Sequence, residues 1–255
     1  VLLLSAPAAM AQTIALVVGN SDYDETIDVR RGDEVADTAR SLSDAGVRTV
    51  SERNATLSDL QAALSEFGQM APQAERLLVA LSGRFVRTST ETYFLPTDAD
   101  GAPLATMASR SLPLSTVMAW LAEAPGKAIL VLATDRQNGE YGRYLRDGIG
   151  EIDPPNGVTV IVGEPRDTAR FIENILAEPG AEIARGARRY DMEVDGFLAS
   201  DFRFVEQRRT NTQTGSGTTS RVREQLSWTR ARRDNTSLAY RRYLEAYPNG
   251  QFAAI

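Results

Sequence analysis

A nucleophile needs a partner that can take its proton, and this sequence offers very few. Cysteine and histidine are both absent, which removes thiolate nucleophiles, Ser-His-Asp triads and the usual zinc ligand sets. Disulfides are excluded with them. Basic charge is carried almost wholly by arginine, which stays protonated and cannot act as a general base. Lys127 is the only lysine, so serine–lysine chemistry would have to join Lys127 to Ser82 or Thr134. Lys127 opens the apolar run KAILVLA, whereas Ser82 and Thr134 close theirs. Seven strand residues at about 3.3 Å each separate those ends by roughly 20 Å, against a hydrogen-bond reach of about 3 Å. That pair cannot form.

Carboxylates remain. Asp98 and Asp100, in Thr97-Asp98-Ala99-Asp100, are weak candidates for a divalent cation, with fewer ligands than the usual six to eight of calcium; loop carboxylates more often cap turns, and no metal or other cofactor is expected. Acid–base chemistry on two carboxylates needs a pair converging in one cleft, and the spacing supplies none. Asp33, Glu34 and Asp37 fall in the first turns of a helix, where negative charge suits the dipole. Arg185, Arg188 and Arg189 read as a solvated helix face. The stretch GSGTTS near Ser220 lacks the lysine of a phosphate loop and follows no buried strand.

The elements that position these residues alternate apolar runs with amphipathic ones, which predicts an α/β fold with a mostly parallel sheet flanked by helices. Strands are predicted at 13–19, 47–51, 76–82, 127–133, 157–163 and 197–205, with a hairpin over 85–95. Helices are predicted over 32–45, from Thr56 past Phe67, from Pro113 to about Glu123, and from a cap at Asp167 through Leu176. Residues 209–222 read as a flexible linker. Residues 223–255 read as a short helical, repeat-like extension in which Tyr240, Tyr243, Leu244 and Tyr247 share a face. Trp228 and these tyrosines are either a partner surface or the core of that extension.

At the other end, the apolar run Val1–Ala8 and Ala9-Met10-Ala11 read as the remnant of a secretory signal peptide cleaved after Ala11. This predicts a periplasmic or secreted protein. The run is too short to span a bilayer, which takes about 20 residues, so no stable membrane span is expected in the mature chain. Hydrophobic residues at 42% and charged residues at 24% are ordinary for a globular protein. The net charge of −6 argues against nucleic acid as a partner.

One set of motifs is more specific. Ala15 to Tyr23 (ALVVGNSDY), Leu81-Ser82-Gly83-Arg84-Phe85, Leu95-Pro96-Thr97-Asp98-Ala99 and Ala133-Thr134-Asp135-Arg136 occur in the order of the bacterial, metacaspase-type caspase-like cysteine peptidases. The sequence resembles that family over residues 12–208, which implies a caspase-like three-layer αβα domain. The resemblance also marks departures. The family's third strand ends in Ser-Gly-His-Gly and its fourth in Asp-Ala-Cys-Arg, so histidine falls on Arg84 and cysteine on Asp135. The acidic residue that helps receive a basic substrate side chain falls on Ala133.

With those positions degenerate, the resemblance implies a pseudo-peptidase that binds a protein or peptide, with an active homologue as one candidate partner. Family membership alone would instead imply a cysteine-type endopeptidase. A third reading is a structural component of an envelope assembly that docks through its C-terminal helices. Adjacent strand ends of a doubly wound sheet bring Arg84 and Asp135 together, where they either close the cleft as an ion pair or point separately into solvent.

Overall fold

The computed structural model describes residues 12–99, 104–136, 139, 141, 143–199, 201–207, 228–229, 243 and 247. The predicted leader, the linker and most of the C-terminal extension lie outside them. The chain divides after Gln207 into two compact units.

The first unit is built on strands β1 (Gln12–Gly19), β2 (Arg48–Arg53), β3 (Ala74–Ser82), β4 (Phe85–Arg87), β5 (Thr92–Phe94), β6 (Leu112–Pro113), β7 (Ala128–Ala133), β8 (Arg146–Asp147), β9 (Val158–Gly163) and β10 (Glu193–Gly196). Its helices are α1 (Glu34–Asp37), α2 (Ala39–Asp44), α3 (Leu57–Met70), α4 (Leu104–Arg110), α5 (Leu114–Leu121), α6 (Pro165–Phe171) and α7 (Ile183–Arg189). Six strands form the main sheet in the order β10-β9-β7-β3-β1-β2. All neighbours are parallel except β10, which runs antiparallel to β9. A second sheet, β6-β5-β4-β8, is antiparallel and sits in the excursion between β3 and β9.

The central strands read as continuous apolar runs because both of their faces are covered. Ile14, Leu16 and Val18 of β1, with Leu77, Val79 and Leu81 of β3, pack in one core with Phe67 of α3 and Val117 of α5. The alternate residues Ala15, Val17, Leu78 and Ala80 pack in the other, with Val35, Leu42, Phe171 and Ile183. Helix α3 starts at Thr56, whose hydroxyl accepts from the Asp59 N–H while the Asp59 carboxylate accepts from the Thr56 N–H, a reciprocal cap that satisfies two orphan donors. The αβα class is as the sequence indicates.

Four local expectations are corrected. The predicted helix over 32–45 is two short helices, because the buried Thr38 hydroxyl donates to the Val35 carbonyl (2.7 Å) at the junction. Asp167 lies in the first turn of α6 rather than at its cap, which is Glu164, with Pro165 at the first helical position. The helix ends at Phe171 and continues as a π-turn, Ile172–Leu176. The last strand is Glu193–Gly196, and residues 197–205 are not strand.

In the second unit the buried Tyr243 ring lies 5.1 Å from Trp228 and 5.5 Å from Tyr247. These aromatics pack on one another, as the core reading of the extension requires.

Candidate functional site

The parallel order brings the C-terminal ends of β3 and β7 side by side, with Ser82 opposite Ala133 in register. Gly83 continues β3 by donating its N–H to the Ala133 carbonyl (3.0 Å). Arg84 and Asp135 follow the two strand tips. This is the crevice in which open α/β sheets present their functional groups.

Arg84 points inward. Its side chain is 1% exposed and its Nη1 lies 3.0 Å from Oδ1 of Asp135, whose side chain is 12% exposed. Its Nε donates to the Ile27 carbonyl and its Nη2 to the Asp28 carbonyl, both at 2.8 Å. The second Asp135 oxygen accepts from the Arg30 N–H at 2.9 Å. The two side chains therefore pair, and together they strap the loop after β1 across the strand tips. A buried guanidinium is tolerable only when it is paired and hydrogen-bonded, and here each of its three nitrogens meets a carbonyl or a carboxylate.

The same loop is held from within. Asn20 is fully buried; its amide donates to the Leu95 carbonyl (3.2 Å) and its side-chain oxygen accepts from the Ala55 N–H (2.9 Å). The Tyr23 hydroxyl accepts from the Arg84 N–H (2.7 Å) and donates to the Leu95 carbonyl (3.4 Å). Burial pushes that phenol well above its usual range, so it stays neutral. Asn20 and Tyr23 both stand in the run ALVVGNSDY, but their partners are backbone groups remote in the chain, which no local pattern marks.

Asp147 on β8 is the third charged group here. Burial raises its carboxyl above the ordinary range; Arg84 opposes that shift and Asp135 adds to it. Its Oδ1 is buried with no hydrogen-bond partner. A carboxyl whose pKa is raised by folding destabilises the native state once ionised. The penalty is absent below the unfolded pKa of about 3.9 and grows as pH rises through the folded value. Asp147→Asn is therefore expected to raise stability at pH 7, with the gain fading toward pH 4, as read by urea denaturation at a series of pH values. A gain that persists unchanged at low pH would contradict this.

The remaining candidates take no part in the Arg84–Asp135 pairing. Ala133 is fully buried at the end of β7, where a methyl group cannot receive a basic side chain. Ser82 is buried and its hydroxyl makes no hydrogen bond. Lys127 pairs with Glu75 (2.6 Å), beside Leu77, whose N–H meets the Lys127 carbonyl at the opposite end of the sheet. Asp98 accepts from the Leu57 N–H (2.7 Å) and so caps α3. Asp100 lies outside the described residues, among which no group of three or more metal-capable side chains is found.

A mostly parallel sheet covered on both faces, with two adjacent strand tips offering side chains to one crevice, is an open α/β architecture. The chain belongs to the caspase domain family, whose model matches residues 12–228. No curated protein matches the chain.

Proposed function

We propose that this protein is an exported caspase-like pseudo-peptidase that binds a protein or peptide rather than cutting one. One observation supports this above all. The group at the family's histidine position is a buried arginine whose donors are committed to Ile27, Asp28 and Asp135. It cannot take a proton from a nucleophile. Asp135, at the cysteine position, has both oxygens engaged and no base to assist the later steps of acyl transfer. Regulation of an active relative by sequestering a shared ligand is the natural use of such a domain.

The test is hydrolysis. Fluorogenic peptides ending in Arg, Lys or Asp are expected to stay intact with the purified protein over hours, at rates equal to buffer. Turnover that disappears in Asp135→Asn would overturn the reading. Export predicts that the protein recovered from its own cells outside the cytoplasm starts at Gln12; recovery from the cytoplasm with residues 1–11 attached would contradict it.

A further inference from the structure

The small sheet carries like charges in direct register on its other face. Arg87 of β4 and Arg146 of β8 are opposed across an antiparallel pair, while their neighbours Val86 and Asp147 face the Arg84 side. Like charges directly opposed destabilise a sheet. Among the described residues, no carboxylate lies within ion-pair distance of Arg87, Arg146 or the nearby Arg143. The Arg87 stem lies against the backbone of Gly150, where a β-carbon would come within 2.4 Å of its Cδ. Its Nε is buried with no hydrogen-bond partner, and an orphan donor of this kind is costly to keep.

These arginines line an open groove of about 890 Å3, within the size range of ligand sites. Leu114 and Met118 of α5 and Ile152 supply apolar lining. Glu91 also lines it; its Oε1 accepts from the Thr92 N–H (3.1 Å) and the Ser115 N–H (3.3 Å), which fixes that carboxylate in place without removing its charge. Glu151 and Asp153 lie in the same lining, so with Glu91 the three arginines face three carboxylates; a polyanion is disfavoured, and a single carboxylate is favoured only where it meets Arg87 and Arg146.

We infer that this groove receives an extended peptide segment, with an acidic side chain held by Arg87 and Arg146 and apolar neighbours laid on Met118 and Ile152. The forked guanidinium suits a carboxylate. β8 is the terminal strand of its sheet, and a peptide laid along a sheet edge places every second side chain on one face. The inference rests on the binding role proposed above and gives it a location, away from the closed crevice at Arg84.

The experiment uses the full chain and three fluorescein-labelled probes read by anisotropy: an octapeptide of Leu and Ser with one central Glu (the Leu–Glu peptide), the same peptide with Lys for Glu, and an oligothymidylate. The Leu–Glu peptide is expected to bind, to weaken with added salt, and to lose about tenfold or more in affinity for Arg87→Gln/Arg146→Gln. Arg146→Gln alone, at an exposed side chain that the fold does not need, is expected to weaken it in the same direction. Equal binding by these variants would place the peptide elsewhere and overturn the groove assignment while leaving the binding role intact. So would preference for the Lys peptide or the oligothymidylate, or no binding of the Leu–Glu peptide. Cleavage of the bound peptide, read by mass spectrometry, would instead defeat the pseudo-peptidase reading and leave the groove to be judged by the variants.

Discussion

Arg84→Met is expected to lower stability by about 3–5 kcal/mol, the cost of breaking a buried ion pair by removing one partner. Methionine roughly keeps the volume but leaves the Asp135 carboxylate and the carbonyls of Ile27 and Asp28 without the donors that now meet them. Urea denaturation followed by circular dichroism measures the change. Arg84→Lys is expected to recover only part of it, because an ammonium is a point charge and cannot fork toward the same acceptors. Asp135→Ala is expected to cost less than Arg84→Met, since the arginine keeps both carbonyls. If Arg84 and Asp135 act as a unit, Arg84→Met/Asp135→Leu will be less destabilised than the sum of its parts. Additive losses, or an Arg84→Met protein as stable as the parent, would mean that the strap contributes nothing to the fold.

That strap shows where the sequence was legible and where it stopped. The order of the motifs placed Arg84 and Asp135 at adjacent strand tips through the family resemblance that it carries; apolar runs imply parallel strands covered on both faces, but not their order in the sheet. The direction of the side chains was not legible. Arg84 is fixed by the carbonyls of Ile27 and Asp28, and a carbonyl carries no trace of residue identity. The same limit hid the groove, since the opposition of Arg87 and Arg146 depends on pairing between a short strand and a two-residue strand nearly 60 positions apart.

At the sheet edge the pattern misled. Phe197 to Val205 contains strand-favouring residues, yet Phe204 and Val205 are buried in the core that holds Phe171 and Ile183. The pairing with β9 is made by Glu193–Gly196, every residue of which is exposed. An edge strand in contact with solvent needs no apolar alternation, so periodicity cannot find it. Thr38 misled in the other direction: it continues the helical spacing, but its hydroxyl returns to the Val35 carbonyl and splits the helix.

Gly83→Ala is the second change expected to be severe, at about 2–4 kcal/mol, and its cause is space rather than charge. A β-carbon at this strand tip would lie 2.4 Å from the Tyr23 hydroxyl and 2.9 Å from Cε2 of Phe94. The first contact cannot relax freely, because that hydroxyl joins the Arg84 N–H to the Leu95 carbonyl. Moving it breaks the link between the strand tip and the end of the hairpin. Tyr23→Phe removes the hydroxyl alone and is expected to cost about 1–2 kcal/mol, chiefly by leaving the buried Arg84 N–H unmet. In that background Gly83→Ala loses its worst clash but keeps the contact with Phe94, a tighter-than-usual approach to Cβ of Asn20 (3.2 Å) and the positive φ of the position. The double variant should therefore be more stable than the two separate losses would give. A glycine substitution equally costly with and without the tyrosine hydroxyl would show that backbone conformation at position 83, and not the phenol above it, makes glycine necessary there.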